Sequence, residues 1–319
     1  MLSVCNALWD TLKNEFFPEP TEDRWREISD AFRKCSHFPN CLGAIDGKHI
    51  IVTKSPRSGS MNFNYKCYFS IVLMTIADSD YKFTYADIGA YGKDSDSFVF
   101  QETSFLKLLI RNKLHIPPSG SLFTNDTENF TLVFVGDEAF SLSKNLMWPY
   151  ARHNLKRPCA RHNLMRPYAG HNLMRPYAGR NLMRPYAGRN LMWPYAGRNL
   201  MRPSAGRNLS EKQRIFNYRL CRARRNVECA FGILSNKCRI IHTALDVSKE
   251  FSKDILKACL LLHNLVRSKN GYRSEEIYMR QNWNSVNRAA CSRPRRSASD
   301  VRDRFADYCM SGSSITVTN

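Results

Sequence analysis

Near the start of the chain, apolar residues recur at the spacing of a single helical face. Helices are expected over 3–16 and 21–35: Trp25, Ile28 and Phe32 lie three and four apart, and Thr21 after Pro20 serves as the second helix's cap. The period then shortens. Cys41–Asp46 is a short apolar run ending in an acid, and Ile50–Thr53 is a second β-type run that follows it. Tyr68–Asp78 and Tyr81–Gly89 are β-rich runs joined at Ser79 and Asp80 as a hairpin. A helix over Ser97–Arg111 follows the Asp94-to-Asp96 start, and Thr131–Asp137 reads as a buried strand that also ends in an acid. Further on, Ser210–Ser235 is a basic amphipathic helix, Phe251–Ser268 a more apolar one and Val301–Met310 a short one. Three strands, a helix, another strand and then helices predict a mixed α/β fold, its sheet covered on both faces.

Between Arg152 and Ala205 this pattern gives way to self-similarity. Six nine-residue units (RHNLKRPCA, RHNLMRPYA, GHNLMRPYA, GRNLMRPYA, GRNLMWPYA, GRNLMRPSA) follow one another, preceded by the related SKNLMWPYA. Such close identity marks recent tandem duplication. A proline in every copy interrupts any helix, so a turn-rich, irregular insert is expected. Two readings of it stay open: a passenger, or an extended basic strip whose aromatic rings stack on bases while its arginines meet phosphates.

Composition sharpens this picture. The 319 residues are 43% hydrophobic and 12% aromatic, enough for a sizeable core in one large domain or two ordinary ones. The formal charge is +20, and a sequence pI near 9.7 points to a polyanionic partner, nucleic acid first, against the plainer reading of a soluble basic surface. Removing the 54 repeat residues, with eleven basic and no acidic side chains, leaves +9 on 265 residues. The apolar stretches at 69–77 and 258–262 fall short of the roughly 20 residues a bilayer span needs. The first 20 residues lack a signal peptide's basic start and apolar core. Eleven scattered cysteines without a Cys-x-x-Cys pair read as reduced intracellular thiols rather than disulfides or a zinc site.

The candidate chemistry lies in the acids. Asp46 and Asp137 each close an apolar run where a carboxylate can enter a cleft at a strand end, although either alone serves equally well as a turn residue. Two such groups brought together repel unless a cation lies between them, and Mg2+ or Mn2+ suits carboxylate oxygens. A pair of ions about 4 Å apart promotes phosphodiester cleavage. The third acid would be Glu228, at the margin of the apolar stripe Ala223, Val227, Ala230, Phe231 and Leu234; taken alone, it is better read as an ion-pair partner of Arg224 on a solvated face. Asp87, Asp94 and Asp96 read as capping and turn acids. His49 reads as a hydrogen-bonded structural histidine or as a group that orients a phosphate or a water.

Leu42–His49, Asn64–Ser70, Asp87–Ala90 with Ser95 and Asp96, Gly136–Ala139, Phe216–Arg225 and Glu228–Gly232 together resemble the blocks of the PIF/Harbinger DDE transposases and the nucleases domesticated from them. The resemblance covers 1–151 and 206–310. It implies an RNase H-like mixed sheet flanked by helices, with the repeat inserted before the helix that carries the third acid. The implied organisation has four parts: a truncated N-terminal helical region over 1–40, a nuclease core over 41–151 and 206–270, the insert over 152–205, and a polar, partly disordered tail over 271–319. The resemblance further implies a catalytic and metal-binding set of Asp46, Asp137 and Glu228 holding two Mg2+ or Mn2+ ions. DNA is the implied substrate, with Lys48, His49, Arg222, Arg224 and Arg225 as candidate DNA contacts, a Myb-like DNA-binding protein as partner, and the nucleus, with the cytoplasm besides, as location. Without the six repeats, the separation of Asp137 and Glu228 shrinks from 91 to 37 positions, close to the compact spacing of such cores. The basic run Arg293–Arg296 is a nuclear-import patch or simply a solubilising one. Three functional readings follow: a metal-dependent DNA endonuclease, a catalytically inactive DNA-binding remnant, or the product of a decayed element that does not fold cooperatively.

Overall fold

Both N-terminal helices form where the spacing predicts them. In the computed structural model, which describes residues 2–54, 59–118, 130–150, 209–270 and 296–311, α1 spans Leu2–Phe16 and α2 spans Glu22–Ser36. The Thr21 side chain caps α2 by accepting from the Arg24 amide at 3.3 Å. The repeat insert, the import patch apart from Arg296 and most of the tail lie outside the described residues.

The sheet has the order β3-β2-β1-β4-β5, with β1 at Cys41–Ile51, β2 at Ser70–Ala77, β3 at Phe83–Tyr91, β4 at Val133–Val135 and β5 at Leu146–Met147. β1, β2 and β3 are antiparallel neighbours, whereas β4 runs parallel to β1 and β5 parallel to β4. Such a mixed sheet fits an RNase H-like DDE domain.

Two expectations are corrected. The runs at 41–46 and 50–53 are one strand, because Gly47, Lys48 and His49 pair without a break with Met74, Leu73 and Val72 of β2. Asp46 is therefore mid-strand rather than terminal. The helix expected over 97–111 is two, α3 at Asp96–Glu102 and α4 at Ser104–Ile110, because Thr103 between them is extended (φ −61°, ψ 146°). Ahead of the insert, Leu146 and Met147 of the related SKNLMWPYA unit form an edge of the sheet. Leu146 and Met147 pair with Phe134 and Val135, and Trp148 and Tyr150 are buried.

Three further helices complete the unit: α5 at Glu211–Lys237, α6 at Lys249–Asn270 and α7 at Arg296–Ser311. α5 opens on a capping box, with Ser210 bonded to the Gln213 amide and Gln213 bonded back. The core gathers on two phenylalanines. Trp25 of α2 and Phe105 of α4 meet Phe134 edge-on, while Phe231 of α5 and His263 of α6 close on Phe83. α7 joins through Phe305, stacked on Phe38, and through Asp303, which accepts from the Tyr150 hydroxyl at 2.5 Å. No described helix is long and apolar enough to cross a membrane.

Candidate active site

The last paired residues of the parallel strands β1 and β4 are Ala44 and Val135. Asp46 and Asp137 each lie two residues beyond that pair, so the register sets them side by side where β4 leaves β1. The Asp46 carboxylate folds back to accept from the Gly47 amide at 2.9 Å, and that of Asp137 accepts from the Ala139 amide at 2.8 Å. Glu228 comes from α5, which packs on β1. One turn earlier, Arg224 donates to Glu228 at 2.5 Å, with both side chains less than one-fifth exposed. The ion pair that α-helical spacing permits thus exists, but it is sequestered rather than solvated.

A fourth acid stands with these three. Ser95, not Asp96, caps α3, accepting from the Phe98 amide at 3.3 Å. Asp96 is left to turn toward β1, where a side chain at position 47 would sit 2.4 Å from its Oδ1. Gly47 is what makes room for it. That buried Oδ1 has no hydrogen-bond partner among the described residues. Asp96 thus joins the candidate site, whereas the sequence reads it as a capping or turn acid, because the contact with Gly47 that reassigns it is distant in the chain.

The electrostatics confirm one shared neighbourhood. Burial, opposed by Arg224 and reinforced by the charges of Asp137, Asp96 and Glu228, pushes the Asp46 carboxyl up to about 8. Burial and Asp137, opposed by Lys66, push Asp96 up to about 6. Arg224 responds the other way: burial works against its charge, but Glu228, Asp46 and Asp137 outweigh it and raise its pKa. One guanidinium therefore serves several carboxylates, which is the task a hard cation would perform.

The other sequence-selected residues divide. Lys48 lies over the Phe231 ring, 5.7 Å from its centroid, its pKa lowered by burial against the pull of Asp46. His49 bonds the Ser70 hydroxyl through Nδ1 at 2.9 Å, and burial and Lys66 lower its pKa to about 4, so the ring is neutral at pH 7. Arg222 and Arg225 are exposed on α5, and the charge of Arg222 acts on His37. Asp87 lies apart, in a surface hollow with Trp9, Tyr85 and Lys257.

Residues 45–264, about two thirds of the chain, match the family model described as DDE superfamily endonuclease. The chain belongs to this family. The match agrees with the transposase resemblance of the sequence blocks. The chain is also similar to "Protein ALP1-like" of Arabidopsis thaliana, at 30% identity over 126 residues, 39% of this chain and 30% of that protein. The chain therefore spans less than a third of the length of that relative. No solved structure matches it. For a DDE endonuclease the donor set is right in kind, since the clustered groups are carboxylates and Asp96 keeps an unpartnered oxygen. As they stand, however, no three described acids converge closely enough to share one ion. Arg224 stands in that space.

Proposed function

We propose that the chain is a divalent-metal-dependent DNA endonuclease of transposase origin that hydrolyses phosphodiester bonds through Asp46, Asp137 and Glu228, with Asp96 beside them. The observation that carries the reading is the register of β1 and β4, which sets Asp46 and Asp137 side by side within the fields of Glu228 and Asp96. Mg2+ or Mn2+ bound to these carboxylates would supply Lewis-acid activation of the attacking and leaving oxygens. The protein's own part is to hold the acids at the free edge of β1 and to release Glu228 from Arg224. A freed Arg224, with Lys48, Arg222 and Arg225, meets backbone phosphates. His49, neutral and bonded to Ser70, orients rather than neutralises. Target choice falls to a Myb-like DNA-binding partner, and the place of action is the nucleus, with passage through the cytoplasm.

The Arg224–Glu228 pair favours a second reading, a DNA-binding remnant in which the arginine has taken the cation's place for good. Plasmid nicking in Mn2+ separates the two. Nicking by the wild type that vanishes in Asp46→Ala, Asp137→Ala and Glu228→Ala supports the nuclease. Nicking that survives all three, or chelator-indifferent binding with no nicking at any pH from 6 to 9, overturns it.

A further inference from the structure

The loop between β1 and β2 is built to hold aromatic rings in water. Asn64, buried, organises it: its Oδ1 accepts from the amides of Lys66 at 2.9 Å and Tyr68 at 3.3 Å, and its Nδ2 donates to the Ser70 hydroxyl at 2.9 Å. Two backbone bonds, from the Asn64 amide to the Tyr68 carbonyl (2.9 Å) and from the Cys67 amide to the Asn64 carbonyl (3.1 Å), close the turn. Ser70 passes the network on to His49 of β1. These bonds, made by a buried asparagine, hold the loop in one conformation.

What the loop presents is apolar and basic. Tyr65 is 67% exposed and Phe63 41%, the latter braced edge-on against Phe69 at 5.2 Å. Lys66 lies over the Tyr65 ring and Lys54 over the Phe69 ring. Among the described residues, no carboxylate lies within ion-pair distance of Lys48, Lys54 or Lys66. The site is near on its Asp96 side: the charge of Lys66 acts on Asp96, and Tyr65 meets His49 edge-on with ring centroids 5.8 Å apart, His49 projecting from the face of β1 opposite Asp46.

Paired bases stack on each other and offer a protein only edges and phosphates, whereas an unpaired base has a free face. We propose that loop 59–69 is a stacking platform for unpaired DNA bases flanking the scissile phosphate, with Tyr65 and Phe63 as the stacking rings and Lys54 and Lys66 on the strand's phosphates. The inference rests on the nuclease reading for its location and makes the substrate class DNA with a single-stranded flank, such as a frayed end or a branch.

Fluorescence anisotropy of the full chain in EDTA, with a labelled oligothymidylate of about 12 nucleotides and a duplex of the same length, tests it. Tyr65→Ala is expected to weaken single-strand binding about tenfold with duplex binding unchanged, and Tyr65→Phe to retain it. Thermal unfolding alongside checks that each variant is folded, and Phe63→Ala provides a second ring if one is not. Unchanged single-strand affinity in both alanine variants, or equal loss on duplex, overturns the platform. Because the binding is read without metal, Tyr65-dependent single-strand binding in a protein that never nicks plasmid supports the platform and removes the nuclease reading alone.

Discussion

Burial, with the charges of Asp137, Asp96 and Glu228 and against the pull of Arg224, pushes the Asp46 carboxyl up to about 8, whereas in the unfolded chain it titrates near 3.9. Between those values the folded state holds a proton that the unfolded state has released. The contribution to stability is therefore greatest below about pH 4 and is lost as pH rises through 8. Asp46→Asn should raise the metal-free melting temperature at pH 8 by about 3 °C, with the gap narrowing toward pH 5, and should abolish any rise caused by Mn2+; differential scanning fluorimetry reads both. Since a bound ion displaces that proton, Mn2+ affinity of the wild type should weaken as pH falls below 8. Arg224→Leu makes the converse case. Removing this guanidinium from among the acids should destabilise the metal-free fold by about 2 kcal/mol and enlarge the Mn2+-induced rise in melting temperature above that of the wild type. If Arg224→Leu melts like the wild type, the guanidinium is not what offsets the acids' repulsion. At this scale the sequence shows Asp46 and Asp137 as acids that close apolar runs, and Glu228 through its motif. Asp96 is hidden, because Asp94 to Asp96 reads as a helix start and the contact that reassigns it reaches back to Gly47, 49 positions away.

Elements whose character is set locally can be read from the sequence. α1, α2, α5 and α6 follow the 3.6 period, and the hairpin of β2 and β3 follows its turn: Asp78 accepts from the amides of Asp80 and Lys82 at 2.8 and 2.9 Å and pairs with Arg24 at 2.9 Å. Elements defined by their partners cannot. β5 exists only because Phe134 and Val135 offer it an edge, and the continuity of β1 through Gly47 depends on β2. The split between α3 and α4 turns on one side chain. Thr103, fully buried, donates to the Phe100 carbonyl at 2.7 Å, ending α3, and accepts from the Leu106 amide at 3.3 Å, starting α4. An apolar periodicity running across both helices cannot reveal a threonine used twice. Thr103→Ala should cost about 1–2 kcal/mol in urea unfolding, and Thr103→Ser should recover most of it. Because α3 carries Asp96, the alanine variant should also weaken the Mn2+ effect, whereas Ser210→Ala at the capping box of α5 should cost about 1 kcal/mol.

For the whole molecule, the question is what the chain loses without its repeats. The copy that the sheet uses lies upstream of them. Leu146 and Met147 form β5, and Tyr150 is fixed to α5 by Asn217, which accepts from the Tyr150 amide at 2.7 Å and donates to its carbonyl at 3.2 Å. Asn217 lies two turns into α5, so the helix start at Ser210 is about 10 Å from that clamp. Deleting 152–205 leaves Ala151 and 206–209, five residues that extend to about 17 Å. The clamp and the helix start therefore stay joined without strain. Shortening the linker from 59 residues to five should stabilise the fold by about 2 kcal/mol through loop closure alone. The deletion also lowers the formal charge from +20 to +9. With the insert a passenger, duplex binding should keep its dependence on salt, since the contacts released at high salt belong to Lys48, Arg222 and Arg225 rather than to the eleven basic residues removed. Anisotropy titrations from 50 to 200 mM salt, run on both chains, decide this. A markedly shallower slope in the deleted chain would make the insert a DNA-binding strip in its own right, and a lower melting temperature would make it part of the fold.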